Sequence, residues 1–159
     1  MPYVRKEYIK GSPIPKISKF IMGNCSANYP VKVTLLPLNK VQIRHNAIEA
    51  ARVAANKVLT DKLGETGYCL KVRIFPHIVL RENKMMAFAG ADRIQEGMRR
   101  AFGKPVGLAA RVESGQPLID VYVNPEAVEV AKEALRLGGS KIPSPCLVET
   151  AESKNAPAS

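Results

Sequence analysis

The stretch YCLKVRIF, residues 68–75, alternates between two kinds of side chain. The first set is apolar and consists of Tyr68, Leu70, Val72 and Ile74. The second set is more polar and consists of Cys69, Lys71, Arg73 and Phe75. Because successive side chains of a strand point to opposite faces of a sheet, this pattern predicts a strand. One of its faces should lie in the core, and the other should be basic and exposed.

Upstream, the sequence predicts a strand followed by a long helix. The strand covers Val31 to Leu38, and Asn39 is the expected N-cap of a helix that runs to about Leu63. Gly64 and Gly67 should end this helix. Its buried face is expected to contain Ala47, Ala51, Ala54 and Val58, widened by Ile48, Ala55 and Leu59. Its exposed face is expected to contain His45, Glu49, Arg52 and Asn56.

Downstream, three more extended segments are expected, at Ile78 to Leu80, Val106 to Glu113 and Leu118 to Val123. The last two flank the turn signal SGQP at residues 114–117, so they are predicted to pair. Asn124 and Pro125 predict the start of a second helix, which the glycines at 138 and 139 should end. Two helices packed on a mainly antiparallel sheet make the predicted fold class α+β.

Proline and glycine divide the chain into three expected parts. Residues 1–30 contain four prolines, too closely spaced for a long helix, and predict an extended basic N-terminal arm. Its aromatic residues Tyr3, Tyr8 and Phe20 either stack on exposed bases or pack on the protein itself, and composition leaves both alternatives open. Residues 31–138 are the expected globular domain, with a protruding loop at 83–105. Residues 139–159 are expected to form a tail with little reason to fold alone.

The connector from Arg81 to Arg111, RENKMMAFAGADRIQEGMRRAFGKPVGLAAR, is longer than ordinary links between elements. It carries seven basic residues against three acidic ones. Its glycines either supply turns or let the backbone approach a ribose-phosphate chain closely. Met85 and Met86 are interpreted as part of a local apolar cluster. The composition as a whole favours a basic finger that binds a polyanion.

The net charge of +10 is unevenly distributed along the chain. Residues 71–111 contain nine basic and three acidic side chains, whereas residues 112–159 contain four basic and seven acidic ones. Since summed charge governs association and not fold, the charge predicts binding to nucleic acid or an anionic surface, through the first two thirds of the chain.

Cys25, Cys69 and Cys146 show no spacing typical of zinc sites or disulfide frameworks. Each is expected to be a small buried or half-buried apolar residue in a reducing compartment. The sequence also shows no apolar run long enough to cross a bilayer and no signal core, so a soluble cytoplasmic protein is expected.

Catalysis has little support in the sequence. His45 and His77 are the only histidines, and neither lies in a metal-ligand spacing or beside a nucleophile signature. Gly97, Gly103 and Lys104 resemble a phosphate loop superficially, but the glycine spacing is too long and a proline follows the lysine. We therefore predict no enzymatic activity, no cofactor, no metal and no small-molecule substrate.

Three strings are similar to one protein family, namely YIKGSPIPKISKF, QIRHNAIEAARVAANKVL and RIFPHIVLRENKMMAFAGADRIQEGMRRAFGKPVGLAARV. They resemble the archaeal and eukaryotic large-subunit ribosomal protein L10e, the counterpart of bacterial L16. The likeness covers roughly residues 3–137, and the sequence after Leu137 departs from it.

The resemblance implies an α/β-hammerhead type fold with two helices against a twisted sheet, seated in large-subunit ribosomal RNA. It further implies a place near A-site and P-site tRNA, and a role in late subunit assembly. Neighbouring ribosomal proteins, 5S rRNA and assembly factors are the other implied partners, with no membrane. The implied loop near the tRNA sites and the peptidyl-transferase region consists of Gly97, Met98, Arg99, Arg100, Ala101, Phe102, Gly103, Lys104 and Pro105.

The basic residues expected to neutralise ribosomal RNA phosphates come from the arm, the helix, the strand face and the connector. They are Arg5, Lys6, Lys10, Lys16, Lys19, Arg44, Arg52, Lys71, Arg73, Arg81, Lys84, Arg93 and Arg111. Two alternatives to a structural ribosomal role stay open at this point. One is an RNA-binding assembly chaperone that leaves the mature subunit, and the other is a small nucleotide-dependent or hydrolytic enzyme.

Overall fold

Eight strands and two helices follow one another along residues 6–84 and 97–152, the part of the chain that the computed structural model describes. The strands are β1 (Ile21–Gly23), β2 (Val31–Pro37), β3 (Val41–Arg44), β4 (Tyr68–Val72), β5 (Ile78–Glu82), β6 (Lys104–Val112), β7 (Ile119–Val123) and β8 (Cys146–Glu152). The helices are α1 (His45–Leu63) and α2 (Val128–Gly139). Short 3-10 turns lie at Lys6–Tyr8, Gly97–Arg100 and Pro125–Ala127.

The strands form two separate antiparallel sheets. A five-stranded sheet has the order β1-β4-β7-β2-β8, and a three-stranded sheet has the order β3-β6-β5. The prediction of an α+β fold with two helices and mainly antiparallel strands is therefore confirmed. The expectation of a single sheet is wrong, because β3, β5 and β6 pair with one another and with no strand of the larger sheet.

Both helices pack on the inner face of the five-stranded sheet and against each other. Helix α2 contacts β2, β7 and β8, while α1 contacts β4 and also β3 and β6 of the smaller sheet. Small residues let the helices approach closely, since a Cβ added at Gly138 would lie 3.2 Å from the carbonyl oxygen of Ala51. The apolar set of the 68–75 stretch lies in this core: Tyr68, Leu70, Val72 and Ile74 are all buried.

Helix α1 begins later than predicted, and the set of residues on its buried face differs from the predicted set. Residues 41–44 form β3, so Asn39 is not its N-cap; that position belongs to Arg44, which makes no side-chain capping bond. The buried residues of α1 are His45, Ile48, Ala51, Ala55 and Leu59, so the expectation that His45 is exposed is wrong. The predicted end at Leu63 is confirmed, and Gly64 follows it with a φ of +70° that favours glycine.

The segments around residues 114–117 are strands, but they do not pair with each other. Strand β6 pairs with β3 and β5 in the smaller sheet, whereas β7 pairs with β2 and β4 in the larger one. The turn therefore carries the chain from one sheet to the other. Gly115 has a φ of +75°, as a tight reversal requires.

The segment expected to form a tail with little reason to fold alone contains a strand that pairs with the domain. Residues 146–152 form β8, which pairs along its whole length with β2 at the edge of the five-stranded sheet. Ile142, between α2 and β8, is buried in the core. Residues 146–152 are thus held by pairing with β2, a distant partner that their local sequence does not reveal.

The N-terminal arm is anchored to the domain at three points. Ile17 is only 1% exposed and belongs to the core. Strand β1 pairs with β4. Cys25 is joined by a disulfide to Cys69 of β4, with 4.9 Å between their Cα atoms. The expectation of three separate thiols is therefore wrong for this pair, and only Cys146 is a free cysteine among the described residues.

Candidate nucleic-acid interface

Neither of the two helices in residues 6–84 and 97–152 covers the second face of the five-stranded sheet, which carries polar and charged side chains. We call it the outer face; its polar and charged side chains include Lys32, Thr34, Lys71, Arg73, Asp120 and Tyr122, and Glu149 of β8 lies opposite Thr34 at its edge. The ammonium group of Lys71 lies 5.2 Å from the ring centre of Tyr122, within range of a cation-π contact. The prediction of a basic face opposite Tyr68 and Leu70 therefore agrees with the structure.

A buried carboxylate lies beneath these cations. Asp120 is fully buried, accepts a hydrogen bond from Thr34, and lies 3.1 Å from Lys32 Nζ and 3.5 Å from Arg73 Nε. A buried charge requires such partners because it has lost its hydration. The buried carboxylate of Asp120 thus balances part of the charge of Arg73, while 54% of the Arg73 side chain stays exposed.

Arg52, predicted to contact RNA, is largely enclosed. Its side chain is 13% exposed and forms a two-point ion pair with Glu49, while Nη1 lies 2.8 Å from the sulfur of Met22 in β1. The hydrogen bonds to Glu49 raise the pKa of the Arg52 guanidinium above its ordinary value. Arg52 therefore joins α1 to the arm. Arg44, expected on the same helix face, is the exposed last residue of β3.

A cleft of about 740 Å³ lies between the arm and α1. Lys19 and Met22 line it on the arm side, and Asn56 lines it on the helix side. The hydroxyl of the buried Tyr68 donates a 2.8 Å hydrogen bond to Asn56 at this boundary. The cleft is open to solvent and mainly polar, as a surface that meets a polar partner would be.

The arm presents lysines outward while its aromatic residues pack on the protein. Lys10, Lys16 and Lys19 are exposed. Tyr8 meets Phe102 edge to face with 6.2 Å between ring centres, and Phe20 stacks on Phe75 at 5.7 Å. Of the two alternatives that composition left open for these aromatic residues, the structure shows packing for Tyr8 and Phe20. Arg5 and Tyr3 lie outside the described residues, and only the backbone of Lys6 is described.

The two ends of the predicted loop at 83–105, within the connector, come together at the edge of the smaller sheet. Strand β5 pairs with β6, with Glu82 opposite Lys104 and Arg81 opposite Pro105. Lys104 and Pro105, assigned by resemblance to the loop near the tRNA sites, therefore lie where the connector rejoins the sheet. The Arg81 guanidinium lies 3.7 Å from the centre of the Phe102 ring. Gly103 packs against the backbone of Glu82, where an added Cβ would lie only 2.3 Å away.

Other predicted residues of the connector are dispersed. Lys84 is exposed just after β5, and Arg111 is half-buried in β6. In the 3-10 turn at Gly97–Arg100, Met98 is 85% exposed and Arg99 is also exposed. Ala101 follows this turn and is half-buried. The predictions for Arg93, Met85 and Met86 fall on residues 85–96, which lie outside the described part.

Sequence reasoning missed two residues of this surface. Lys32 belongs to the outer face, and the alternation of β2 could have found it, since Val31, Val33 and Leu35 bracket Lys32 and Thr34. Phe75 was placed on the basic face without a role, although its side chain is 57% exposed.

Within residues 6–84 and 97–152, no group of three or more His, Cys, Asp or Glu side chains is arranged to hold a metal ion. None of the helices in this part of the chain combines the length and apolar character needed to cross a membrane.

Comparison with known proteins identifies the family. The model of the family "Ribosomal protein L16p/L10e" matches residues 1–149. The large ribosomal subunit protein uL16 of Hyperthermus butylicus is 60% identical over 144 residues, which cover 91% of this chain and 80% of the relative. Its counterparts in Staphylothermus marinus and Archaeoglobus fulgidus are 58% and 56% identical, over 92% and 91% of this chain and 84% and 83% of those relatives. The chain belongs to the ribosomal protein L16p/L10e family.

Proposed function

We propose that this protein is a structural component of the large ribosomal subunit that binds large-subunit ribosomal RNA and supports subunit assembly and A-site tRNA accommodation. The ribosomal role rests on the family, whose relatives are named large ribosomal subunit proteins. They are structural components and not enzymes, so the enzyme alternative is set aside. The protein accordingly works in the ribosome, in the cytoplasm.

The observation that carries the RNA-binding part is the asymmetric placement of charge. The basic side chains exposed on one side are Lys10, Lys16 and Lys19 of the arm, Arg73 of the outer face, and Lys84, Arg99 and Lys104 near the β5–β6 end of the connector. The exposed acidic side chains lie elsewhere: Glu126 in the 3-10 turn before α2, Glu129 and Glu133 in α2, and Glu149 and Glu152 in β8. Basic groups bind RNA phosphates and release counterions, so the basic side favours contact with RNA. Acidic groups repel phosphate, so the side with β8 and α2 is expected to face away from it.

The connector is proposed to extend toward the tRNA sites and the peptidyl-transferase region. Its support is the basic composition of residues 81–111 and the pairing of β5 with β6 at the two ends of the loop at 83–105. Exposed Met98 and Arg99 lie in the 3-10 turn that precedes β6.

Salt-dependent sedimentation tests retention in the subunit. We expect the chain to stay with the mature large subunit at moderate salt and to be released as salt rises. Replacing Lys10 and Lys19 with glutamine should lower the salt needed for release, because two phosphate contacts are lost. Replacing Lys132 and Lys141, on the acidic side, removes equal charge and should have little effect. A chain found only on precursor particles would favour the assembly-chaperone alternative.

The connector is tested by replacing Arg99, Arg100 and Lys104 with alanine. We expect the isolated variant to fold normally and its subunits to mature slowly or to accommodate A-site tRNA slowly. Replacing exposed Met98 with alanine is the control, since it changes the same turn without changing charge. Normal polysome profiles together with normal accommodation rates in the triple variant would contradict this part of the proposal.

A further inference from the structure

Phe75 presents an aromatic ring to solvent just beyond the end of β4. Its side chain is 57% exposed, although burial of a phenylalanine ordinarily stabilises a fold. One of its faces is covered by Phe20, whose ring centre lies 5.7 Å away at an interplanar angle of 28°. With one face stacked and more than half of the side chain exposed, the second face is open to a further flat ring.

The backbone around this pair is fixed on both sides. The Val72 amide donates a 2.8 Å hydrogen bond to the carbonyl of Phe20, which ties the arm to the strand. The Arg73 amide donates a 2.9 Å hydrogen bond to the carbonyl of Leu118, and Ile74 is buried in the core. Phe75 is therefore held in place before any partner arrives, which lowers the entropic cost of stacking on it.

Two cations flank the ring. Lys71 lies on the Tyr122 ring and forms no ion pair with a carboxylate of the described residues. The Nε of Arg73 lies 3.5 Å from the buried Asp120, and 54% of the Arg73 side chain stays exposed, so its guanidinium can still donate to a partner. A guanidinium held in this way suits the geometry of a phosphate.

These side chains line one recess of about 320 Å³, together with Ile21 of the arm. Its size lies in the range of small-molecule sites. We propose that this recess binds one unpaired nucleotide of RNA, with the base stacked on the open face of Phe75 and the adjoining phosphate bound by Arg73 and Lys71. The inference deepens the proposed function and rests on it, because the nucleotide would belong to the bound ribosomal RNA.

The charges in the recess favour RNA over a protein partner. Its lining contains two cations and no exposed carboxylate, and the nearby Asp120 is buried and already paired. Stacking on an aromatic ring with phosphate contacts on either side is how proteins hold single-stranded bases, largely without reading their identity. A protein-binding patch would instead be broader and less charged at its centre.

Subunits carrying Phe75→Leu, which keeps an apolar side chain but removes the flat ring, test the proposal. Chemical probing of ribosomal RNA in purified subunits should show one or two bases about tenfold more reactive than with the wild-type chain. Phe75→Trp should keep these bases protected. Leu147→Ala, which alters an exposed apolar residue on the acidic side, should leave every base unchanged.

Ultraviolet crosslinking of wild-type subunits supplies an independent readout. We expect mass spectrometry to find a nucleotide adduct on the peptide that contains Phe75. If Phe75→Leu subunits retain the chain and show no changed base, the nucleotide site is wrong while the ribosomal role stands. A crosslink from this peptide to another protein, with no nucleotide adduct, would overturn it in the same way. If even the wild-type chain fails to sediment with the large subunit, both proposals fall.

Discussion

The hydroxyl of Thr34 in β2 donates a 2.9 Å hydrogen bond to the buried carboxylate of Asp120 in the neighbouring strand β7. The other carboxylate oxygen lies 3.1 Å from the ammonium group of Lys32. Removing only one member of such a buried group lowers the free energy of unfolding, because the remaining partners stay desolvated and lose their interaction.

Replacing Asp120 with alanine should therefore lower the free energy of unfolding by about 3 kcal/mol. Replacing Thr34 with valine removes a single neutral-to-charged hydrogen bond and should cost about 1.5 kcal/mol. Urea unfolding of the purified chain measures both. An Asp120→Ala variant as stable as the wild type would show that the carboxylate contributes nothing net to the fold.

Protonation of His45 should destabilise the fold at low pH. The ring is buried, and its Nδ1 accepts a hydrogen bond of 3.3 Å from the Lys16 amide, which requires an unprotonated nitrogen. Burial lowers the pKa of His45 below its ordinary 6.5, and the positive charges of Lys16 and Arg44 lower it further. The unfolded chain then binds more protons than the folded one, so this contribution to stability is complete above pH 6.5 and declines as the pH falls below it.

The measurement is the free energy of unfolding as a function of pH for the wild type and for His45→Gln. The difference between the two slopes below pH 6.5 isolates the histidine. Parallel curves for the two proteins would contradict the prediction.

The disulfide between Cys25 and Cys69 should be detectable by counting thiols. In denaturant without reductant, one thiol, that of Cys146, should react with an alkylating reagent, and all three cysteines should react after reduction. Because the bond closes a sequence separation of 44 residues, its loss should cost about 4 kcal/mol. Cys146→Ala is the matched control and should leave the effect of reductant on stability unchanged. Three reactive thiols before reduction would show that the bond does not form.

The contact between Arg81 and Phe102 should stabilise the β5–β6 end of the connector. The guanidinium lies 3.7 Å from the ring centre, so a double-mutant cycle with alanine at both positions should give a coupling free energy of about 1 kcal/mol. Lys71 and Tyr122, separated by 5.2 Å, form a comparison pair that should couple more weakly. If the losses of stability in the two single variants add up to the loss in the double variant, the contact between Arg81 and Phe102 does not stabilise the fold.

Two glycines of the smaller sheet region should respond differently to alanine. At Gly103 a Cβ would lie 2.3 Å from the backbone of Glu82, so the strands must move apart. At Gly107 the nearest atom, Nε2 of His45, is 3.6 Å away, which is an ordinary contact. Thermal unfolding should therefore show a clear loss for Gly103→Ala and little change for Gly107→Ala. Equal losses would mean that backbone proximity is not what requires glycine at Gly103.

Local patterns predicted those elements whose signals lie within their own sequences. The alternation in residues 68–75, the end of α1 at Gly64, and the start of the second helix after Asn124 all depend on neighbours along the chain. The basic outer face followed from the same alternation, because a strand's period assigns every second side chain to one side.

The elements that were missed depend on distant partners. Strand β3 passes into α1 without a glycine or proline between them, so the sequence contains no signal for the boundary between strand and helix. Strand β8 is mostly exposed and is held by its pairing with the edge of β2. The pairing of Cys25 with Cys69 likewise requires β1 beside β4, which spacing along the sequence does not reveal. Among the predicted RNA-binding residues, the enclosure of Arg52 by Glu49 and Met22 was hidden for the same reason.

The position of β8 bears on the order in which the molecule can be completed. Strand β2 spans residues 31–37, and its outer neighbour consists of residues 146–152. During synthesis from the N-terminus, β1 to β7 and both helices are made before that neighbour exists, so one flank of β2 has no strand to pair with until residues 146–152 have been made. Each newly made copy thus passes through a stage in which this flank of β2 is open, and β8 closes it.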